Sequence, residues 1–220
     1  MKSLVLSLLV IMIFGALVMY VDKGGEKIKG SEENLTLEER DFLLKLSRDT
    51  LESYIKSGKV PEIEESKLTE RLKEKKGVFV TLKERGELRG CIGYIMPKKP
   101  LYQAVIDNTI NAAVHDPRFY PVRKDELADI KIEISVLTVP KKLEYKDYNE
   151  LLNKLVPMRD GVILKRGFNE ATYLPQVWEQ IPDKIEFLSR LCIKAGMESN
   201  CWKDSRTEVY IYHAEVFGEE

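Results

Sequence analysis

Residues 129–138, with the sequence DIKIEISVLT, carry the plainest structural signal in the chain. Isoleucine or valine occupies every second position from 130 to 136, while Lys131, Glu133 and Ser135 occupy the positions between them. Successive side chains of a β-strand point to opposite faces, so this alternation places all the apolar side chains on one face. The pattern predicts a strand that is half buried and paired antiparallel with a neighbour.

Five further segments are short and rich in β-branched or aromatic residues, which indicates strands. They are GVFVTL (77–82), LRGCIGYI (88–95), GVILKR (161–166), ATYLP (171–175) and TEVYIYHAEVF (207–217). The turn residues Glu84, Arg85 and Gly86 join the first two in a predicted hairpin, and Gly167 joins the next two in another. The last segment is apolar on both faces and predicts one interior strand.

Four segments carry the apolar period of an amphipathic helix. They are 37–57, 101–115, 147–155 and 184–197. Thr36 and Glu39 have the spacing of a capping box at the start of the first helix. Pro117 ends the second helix near His115, and Gly196 closes the last. Helices mixed with mostly antiparallel strands indicate the α+β class.

The composition narrows the class of protein before any site is considered. Of 220 residues, 44% are hydrophobic, which excludes disorder as the dominant state. Lys plus Arg number 35 and Asp plus Glu number 36, so the net charge of −1 argues against a general nucleic-acid binder. Three cysteines without a CxxC pair, and two histidines, predict neither a disulfide scaffold nor a metal site, and the sequence names no cofactor. Cys192 falls on an apolar helical stripe, which predicts a core position, and Cys201 receives no role.

The chain begins with an uncharged apolar segment, LVLSLLVIMIFGALVMYV, at residues 4–21. As a helix it would span about 27 Å, close to the hydrocarbon thickness of a bilayer. The sequence therefore predicts a single membrane anchor within residues 1–21, with a cleaved secretory signal as the alternative. Lysines lie on both sides of the segment, so they do not specify its orientation. Glycines and mixed charge at 22–34 predict a polar linker, and 35–220 form the predicted folded domain.

The segment LRGCIG, residues 88–93, places a cysteine between glycines in the first predicted hairpin. Gly90 and Gly93 allow a ligand or another backbone to come close. Arg89 would favour the thiolate of Cys91 if both side chains reached one cavity, because positions two apart share a face of a regular strand. A bulge at Gly90 would separate them, and a small buried thiol is the alternative to a reactive one.

A second candidate segment, AVHDPRF at 113–119, brings three polar side chains to the end of the second predicted helix. His115 is a candidate general base for Cys91. Asp116 and Arg118 are candidates for proton transfer and anion binding. The alternative is that these two pair with each other or with the backbone and fix the shape of the loop.

Taken in order, these segments resemble the AMMECR (AMME chromosomal region) protein family, whose hallmark is the hexapeptide LRGCIG. GVFVTL precedes it, AAVHDPRF follows one helix later, and KIEISVLTVP resembles the family's next strand. YLPQVW, FLSRLCIKAGM and Cys201-Trp202 resemble its C-terminal pattern, so the resemblance covers about residues 35–217. Two features depart from the family: the apolar residues 4–21, and FNEAT (168–172) where a glycine-rich approach to LPQV is expected.

The resemblance implies a two-lobed single domain, with a mostly antiparallel sheet flanked by helices, a cleft between the lobes and the N-terminal apolar helix outside the fold. Carried over by position, the cleft residues are Arg89, Gly90, Cys91, Gly93, Asp116, Arg118, Glu133 and Gln176. It also implies Memo-like and radical-SAM proteins as partners, and it transfers no settled activity.

Two functions are compatible with such a cleft. The first is a cysteine-dependent enzyme that acts on a small anionic metabolite or modifies a partner, with Cys91 as the nucleophile. In that hypothesis Glu133 or Asp116 handles protons, while Arg89 and Arg118 hold the anion. The second is a non-catalytic ligand-binding or adaptor module, in which Cys91 matters because it is small.

Overall fold

A computed structural model describes residues 34–220 of the chain, which form one unit, Asn34–Glu220. The predicted anchor or signal at residues 4–21, and nearly all of the predicted linker, lie outside the described residues. No helix within 34–220 combines the length and the apolar character needed to cross a membrane. The division of the chain at residues 21 and 34 therefore stays a prediction.

Two four-stranded antiparallel sheets, flanked by helices, make up the described unit. The first sheet has the order β2-β1-β3-β8 and the second has the order β4-β7-β5-β6. The strands are β1 (Gly77–Glu84), β2 (Glu87–Tyr94), β3 (Ile130–Leu137), β4 (Lys141–Lys142), β5 (Gly161–Arg166), β6 (Asn169–Tyr173), β7 (Glu208–Tyr212) and β8 (Ala214–Gly218). The α-helices are α1 (Leu37–Ser57), α2 (Glu70–Lys73), α3 (Leu101–Val114), α4 (Tyr148–Lys154) and α5 (Lys184–Lys194).

The first sheet is built around β3, which confirms the strand predicted from the alternating sequence. Ile130, Ile132 and Ile134 are buried in one apolar cluster with residues of α1 and α3. The helix α1 has the predicted capping box, since the Thr36 hydroxyl accepts from the Glu39 amide at 3.2 Å and the Glu39 carboxylate accepts from the Thr36 amide at 2.9 Å. Both helices therefore cover the face of the sheet that carries the isoleucines, and the opposite face carries the polar residues of the strands.

The second sheet has its own apolar cluster, which packs against α5. Trp178 stacks on Phe187 at 3.5 Å between ring centroids, and both side chains are fully buried. Cys192 lies in this cluster as predicted, but it forms a disulfide with Cys201. The pairing was not predicted because residues nine apart meet only once the chain has turned after α5.

The prediction of one interior strand over residues 207–217 is wrong. The chain forms β7 in the second sheet, passes through His213, and then forms β8 in the first sheet. At this crossing the His213 amide donates to the Thr138 hydroxyl at 2.9 Å, and the Thr138 amide donates to the His213 carbonyl at 3.0 Å. The segment is apolar on both faces because its two parts are packed in different clusters, with Tyr212 buried at the junction of the two sheets.

Reduction of the Cys192–Cys201 disulfide should lower the free energy of unfolding by about 2.5 kcal/mol, since it releases a short loop in the unfolded chain. Equilibrium unfolding in urea, with and without reductant, measures the difference. Cys91→Ser is the matched control and should show the same loss, because Cys91 is the free cysteine. An equal stability in both conditions would contradict the bridge.

Candidate functional site

Three polar side chains form a row across the uncovered face of the first sheet. In the strand register Thr81 of β1 lies opposite Cys91 of β2 on one side and opposite Glu133 of β3 on the other. The neighbouring Val80 and Ile134 are fully buried on the helix-covered face, so Cys91, Thr81 and Glu133 occupy the other face. All three residues of this polar row are part exposed, which leaves them accessible from solvent.

The environment of Cys91 favours the neutral thiol. Burial raises the pKa of the thiol, and the carboxylates of Asp116 and Glu133 raise it further. The Thr81 hydroxyl, which donates to the sulfur at 3.3 Å, and the charge of Arg118 act in the opposite direction and do not outweigh burial. At neutral pH the sulfur is therefore a small polar group that accepts a hydrogen bond and is not a thiolate.

Asp116 joins the loop after α3 to the strand that carries Cys91. Its carboxylate accepts from the Cys91 amide at 2.9 Å, from the Arg118 amide at 3.1 Å, and from Arg118 Nε and Nη2 at 2.9 and 2.6 Å. The side chain is only 1% exposed. The Arg118 guanidinium, more than the backbone donors, holds the pKa of this carboxyl well below its usual range although burial opposes the shift. Asp116 is thus a fixed anion that shapes the loop, which matches the alternative stated from the sequence.

Arg118 serves the loop and also faces solvent. Besides Asp116, its Nη2 donates to the carbonyl of Cys91 at 3.1 Å. The side chain is 54% exposed, and Nη1 makes no hydrogen bond within residues 34–220. Arg118 therefore presents free N–H donors beside the polar row.

Arg89 is separated from Cys91 by an irregularity in the β1–β2 pairing. Leu82 pairs with Gly90 and Lys83 pairs with Leu88, so Arg89 is the unpaired residue of a β-bulge. Its guanidinium binds the Glu126 carboxylate at 3.0 Å and a loop carbonyl. The separating bulge considered from the sequence is therefore present, and the positive charge that acts on Cys91 comes from Arg118.

The two glycines of LRGCIG give room to the protein's own atoms. A Cβ at Gly90 would lie 2.2 Å from the carbonyl oxygen of Ala112 in α3. A Cβ at Gly93 would lie 2.3 Å from the ring of Phe79 and 2.4 Å from the Val78 carbonyl oxygen. Of the two uses of these glycines considered from the sequence, the structure shows the close approach of another backbone.

The remaining predicted residues are placed at different distances from the thiol. Glu133 accepts from Lys83 Nζ at 2.8 Å, so the end of the polar row is an ion pair. His115 is exposed at the end of α3, and within residues 34–220 no hydrogen bond joins its side chain to Cys91. The structure therefore does not form the Cys91–His115 pair considered from the sequence.

Gln176 brings the second sheet's side of the molecule to the same polar face. It lies in a short 3₁₀ helix, Pro175–Glu179, and its Nε2 donates to the Ser135 hydroxyl at 3.1 Å. Ser135 lies two residues after Glu133 on β3 and shares its face. The amide oxygen of Gln176 is buried and has no partner within the described part of the chain. If the amide were turned over, its nitrogen would take that place, so one polar atom of Gln176 is left unpaired in either orientation.

Sequence reasoning missed three residues around this face. Thr81 and Lys83 alternate with buried Val80 and Leu82, so the period of β1 contained a signal for them. Lys194, the last residue of α5, had no such signal. It reaches the site because α5 packs beside β6, where Lys194 Nζ donates to the Thr172 carbonyl at 2.9 Å.

Metal ligands do not gather at this face. Within residues 34–220 no three side chains of His, Cys, Asp or Glu come together in a way that could hold a metal ion. Two surface depressions lie beside the second sheet, one around Tyr145 and one around Arg166, and neither is lined by the polar row. The chemistry available at the row is hydrogen bonding and ion pairing.

Comparison with known proteins relates this arrangement to one family. The profile of the AMMECR1 family matches residues 44–217, which include the polar row, the Asp116 loop and Gln176. The chain belongs to the AMMECR1 family. The resemblance carried by LRGCIG and the segments around it is therefore confirmed.

Several relatives are similar over nearly their whole length. Protein MK0488 of Methanopyrus kandleri is 49% identical over 192 residues, covering 86% of this chain and 92% of the relative. A protein of Thermococcus gammatolerans is 44% identical over 188 residues, covering 82% and 90%. The crystal structure of uncharacterized protein PH0010 from Pyrococcus horikoshii is similar with a TM-score of 0.75 and 42% identity, covering 81% of this chain and 90% of that chain. The AMMECR1 family name describes membership and assigns no reaction.

Asp116→Asn should lower the free energy of unfolding by about 2–3 kcal/mol at pH 7, since it weakens several charge-assisted hydrogen bonds at a buried position. The folded-state pKa of Asp116 is depressed, so its contribution is complete above the unfolded pKa of about 3.9 and is lost as the pH falls below that value. The stability difference between wild type and variant should therefore be constant from pH 5 to 7 and shrink below about pH 4. Urea unfolding at several pH values measures it, and a difference that grows on acidification would contradict the assignment.

Gly90→Ala should destabilise the fold by about 1–3 kcal/mol, because the added Cβ meets backbone atoms of α3 that no side-chain rotation can move. The matched control is Gly218→Ala in β8, where the nearest atom lies 3.1 Å from the added Cβ. Chemical denaturation of both variants should show a clearly larger loss for Gly90→Ala. Equal losses would mean that the close packing of α3 on β2 is not what requires glycine.

Proposed function

We propose that this AMMECR1-family domain is a binding module, with a ligand site on the polar row where the first sheet meets the residues contributed from the second sheet. The single observation that carries the proposal is the Cys91 environment: a half-buried, hydrogen-bonded thiol with a raised pKa, next to an exposed arginine. Such a face offers recognition and lacks an activated nucleophile. A cleft between two lobes, one built on each sheet, would be the path by which the ligand enters.

The ligand that this face suits best carries a negative group and a hydrogen-bond donor. Arg118 presents unused N–H donors, and guanidinium groups bind carboxylates and phosphates in a defined geometry. The unpaired polar atom of Gln176 would be satisfied by a ligand group that reaches the junction, which removes the cost of leaving it buried alone. A small anionic metabolite has this character, and so does an acidic segment of a partner protein.

Memo-like and radical-SAM proteins are the partners that belong to this proposal. Their support is the family resemblance and not a surface of this chain. An adaptor role would use the same face, because a partner segment that ends in an acidic side chain meets the same arginine. Binding of either protein to the domain, and its loss in Arg118→Gln, would support the adaptor form.

The reactivity of the Cys91 thiol tests the non-catalytic assignment. Because Cys192 and Cys201 are bonded to each other, alkylation by iodoacetamide reports on Cys91. The midpoint of the rate against pH should lie above the free-cysteine value of about 8.5, since burial and two carboxylates favour the neutral thiol. Peptide mass spectrometry gives the rate, and the urea-unfolded chain gives the reference midpoint.

Glu133→Gln is the informative variant for this measurement, because it removes one of the charges that oppose the thiolate. Its midpoint should move downward from that of the wild type. Rapid alkylation of the folded wild-type protein below about pH 7 would overturn the non-catalytic assignment and favour the cysteine-dependent enzyme.

Ligand retention tests the binding module directly. Native mass spectrometry of the purified protein should show the same bound molecule on wild type and on Cys91→Ser, because serine keeps a small polar side chain at the row. The molecule should be lost from Arg118→Lys, which keeps the charge but not the planar donors. A requirement for the sulfur itself would contradict the proposal.

A further inference from the structure

Two cations from different parts of the fold face each other beside the polar row. Arg118 lies in the loop after α3, which packs on the first sheet, and Lys194 ends α5, which packs on the second. Loss of hydration and then the positive charge of Arg118 lower the pKa of Lys194, which shows that the two charges act on each other across the junction.

Local contacts hold the ammonium of Lys194 in place. Nζ donates to the Thr172 carbonyl at 2.9 Å and lies 4.8 Å above the ring of Tyr173. Tyr173 in turn packs edge-to-face on the buried Phe187, with 5.2 Å between ring centroids. The charge is therefore directed along β6 by a carbonyl and a supported aromatic ring, although the residue as a whole is exposed.

Neither cation is fully neutralised on the side that faces the other. No carboxylate of residues 34–220 lies within 4 Å of Lys194 Nζ, whereas most other lysines near this face have one, such as Lys83 with Glu133. Asp116 occupies Nε and Nη2 of Arg118 and is buried behind it, which leaves Nη1 free. Like charges held together without a counter-ion are unfavourable, and an anion between them removes that repulsion.

We infer that Arg118 and Lys194 form a two-cation clamp that binds one oxyanion, a carboxylate or phosphate group, of the ligand across the junction of the two sheets. This rests on the proposed binding function and adds the class of group that is recognised and the second residue that recognises it. Arg118 Nη1 and Lys194 Nζ supply hydrogen bonds from two sides, and the rest of the ligand lies along the polar row toward Glu133.

Protection of Lys194 from chemical modification tests the clamp in the full chain. Lysines are acetylated at pH 7.5 and constant ionic strength, with sodium phosphate, sodium acetate or sodium chloride as the added salt, and the rate at each lysine is read by peptide mass spectrometry. Phosphate or acetate at ten times its dissociation constant should slow Lys194 about tenfold, because only about one protein in eleven is then unliganded. The more protective anion identifies the phosphate or the carboxylate source of the group.

Lys203 is the matched control within the same protein. Its ammonium also lies over aromatic rings, at 5.0 Å from Trp202 and 5.5 Å from Tyr148, but Arg118 is not among its partners. Its rate should not change with phosphate or acetate. Equal slowing of both lysines would show a general salt effect and overturn the clamp.

Removal of Arg118 should abolish the protection of Lys194. Because Asp116 would be left buried without its partner, the double variant Asp116→Asn/Arg118→Gln is used beside Arg118→Gln, and a cooperative urea transition shows that each folds. Persistent protection in a folded variant, or no protection in the wild type with either anion, would overturn the inference. If a native ligand is retained while neither anion protects Lys194, the clamp fails and the binding module stands; if Lys194 is protected while Cys91 alkylates rapidly below about pH 7, the clamp stands and the non-catalytic assignment fails.

Discussion

The buried carboxylate of Asp116 is the contact on which the candidate site depends. It accepts from the backbone of β2 at Cys91 and from both the backbone and the guanidinium of Arg118. One anion therefore fixes the strand that carries the thiol, the loop after α3, and the direction of the exposed arginine. Without it Arg118 would lose the contact that directs its free donors toward the polar row, and its positive charge would no longer be held near Cys91.

The same arrangement explains why the hallmark segment has its composition. Gly90 is required by the carbonyl of Ala112, and the bulge at Arg89 turns the guanidinium toward Glu126 and away from the sulfur. Cys91 is then left between a hydroxyl and two carboxylate charges, where a neutral thiol is favoured. Most of the segment thus serves to bring α3 against β2, and the chemistry of the face depends on the charges around it as much as on the cysteine itself.

The sequence was sufficient wherever the signal is local. The capping box at Thr36, the alternation of β3 and the two hairpins all appear in the structure at the predicted places. It was insufficient where residues distant in the fold decide the outcome. The change of sheet at His213, the Cys192–Cys201 disulfide and the approach of Lys194 to the first sheet depend on how the two sheets pack. An alternating pattern gives the face of a strand and does not give the sheet to which it belongs.

The crossing between the sheets bears directly on how an anion would be bound. A single residue, His213, separates β7 from β8, and Leu137, Ile163 and Tyr212 form a buried cluster at the junction. Such a short, packed connection restricts the movement of one sheet relative to the other, so the two sides of the clamp are held near each other before any ligand arrives. The repulsion between the cations is then offset by the stability of the fold, and binding an oxyanion needs little further ordering. A pre-organised pair of cations of this kind favours recognition of a charged group over catalysis at the neighbouring neutral thiol.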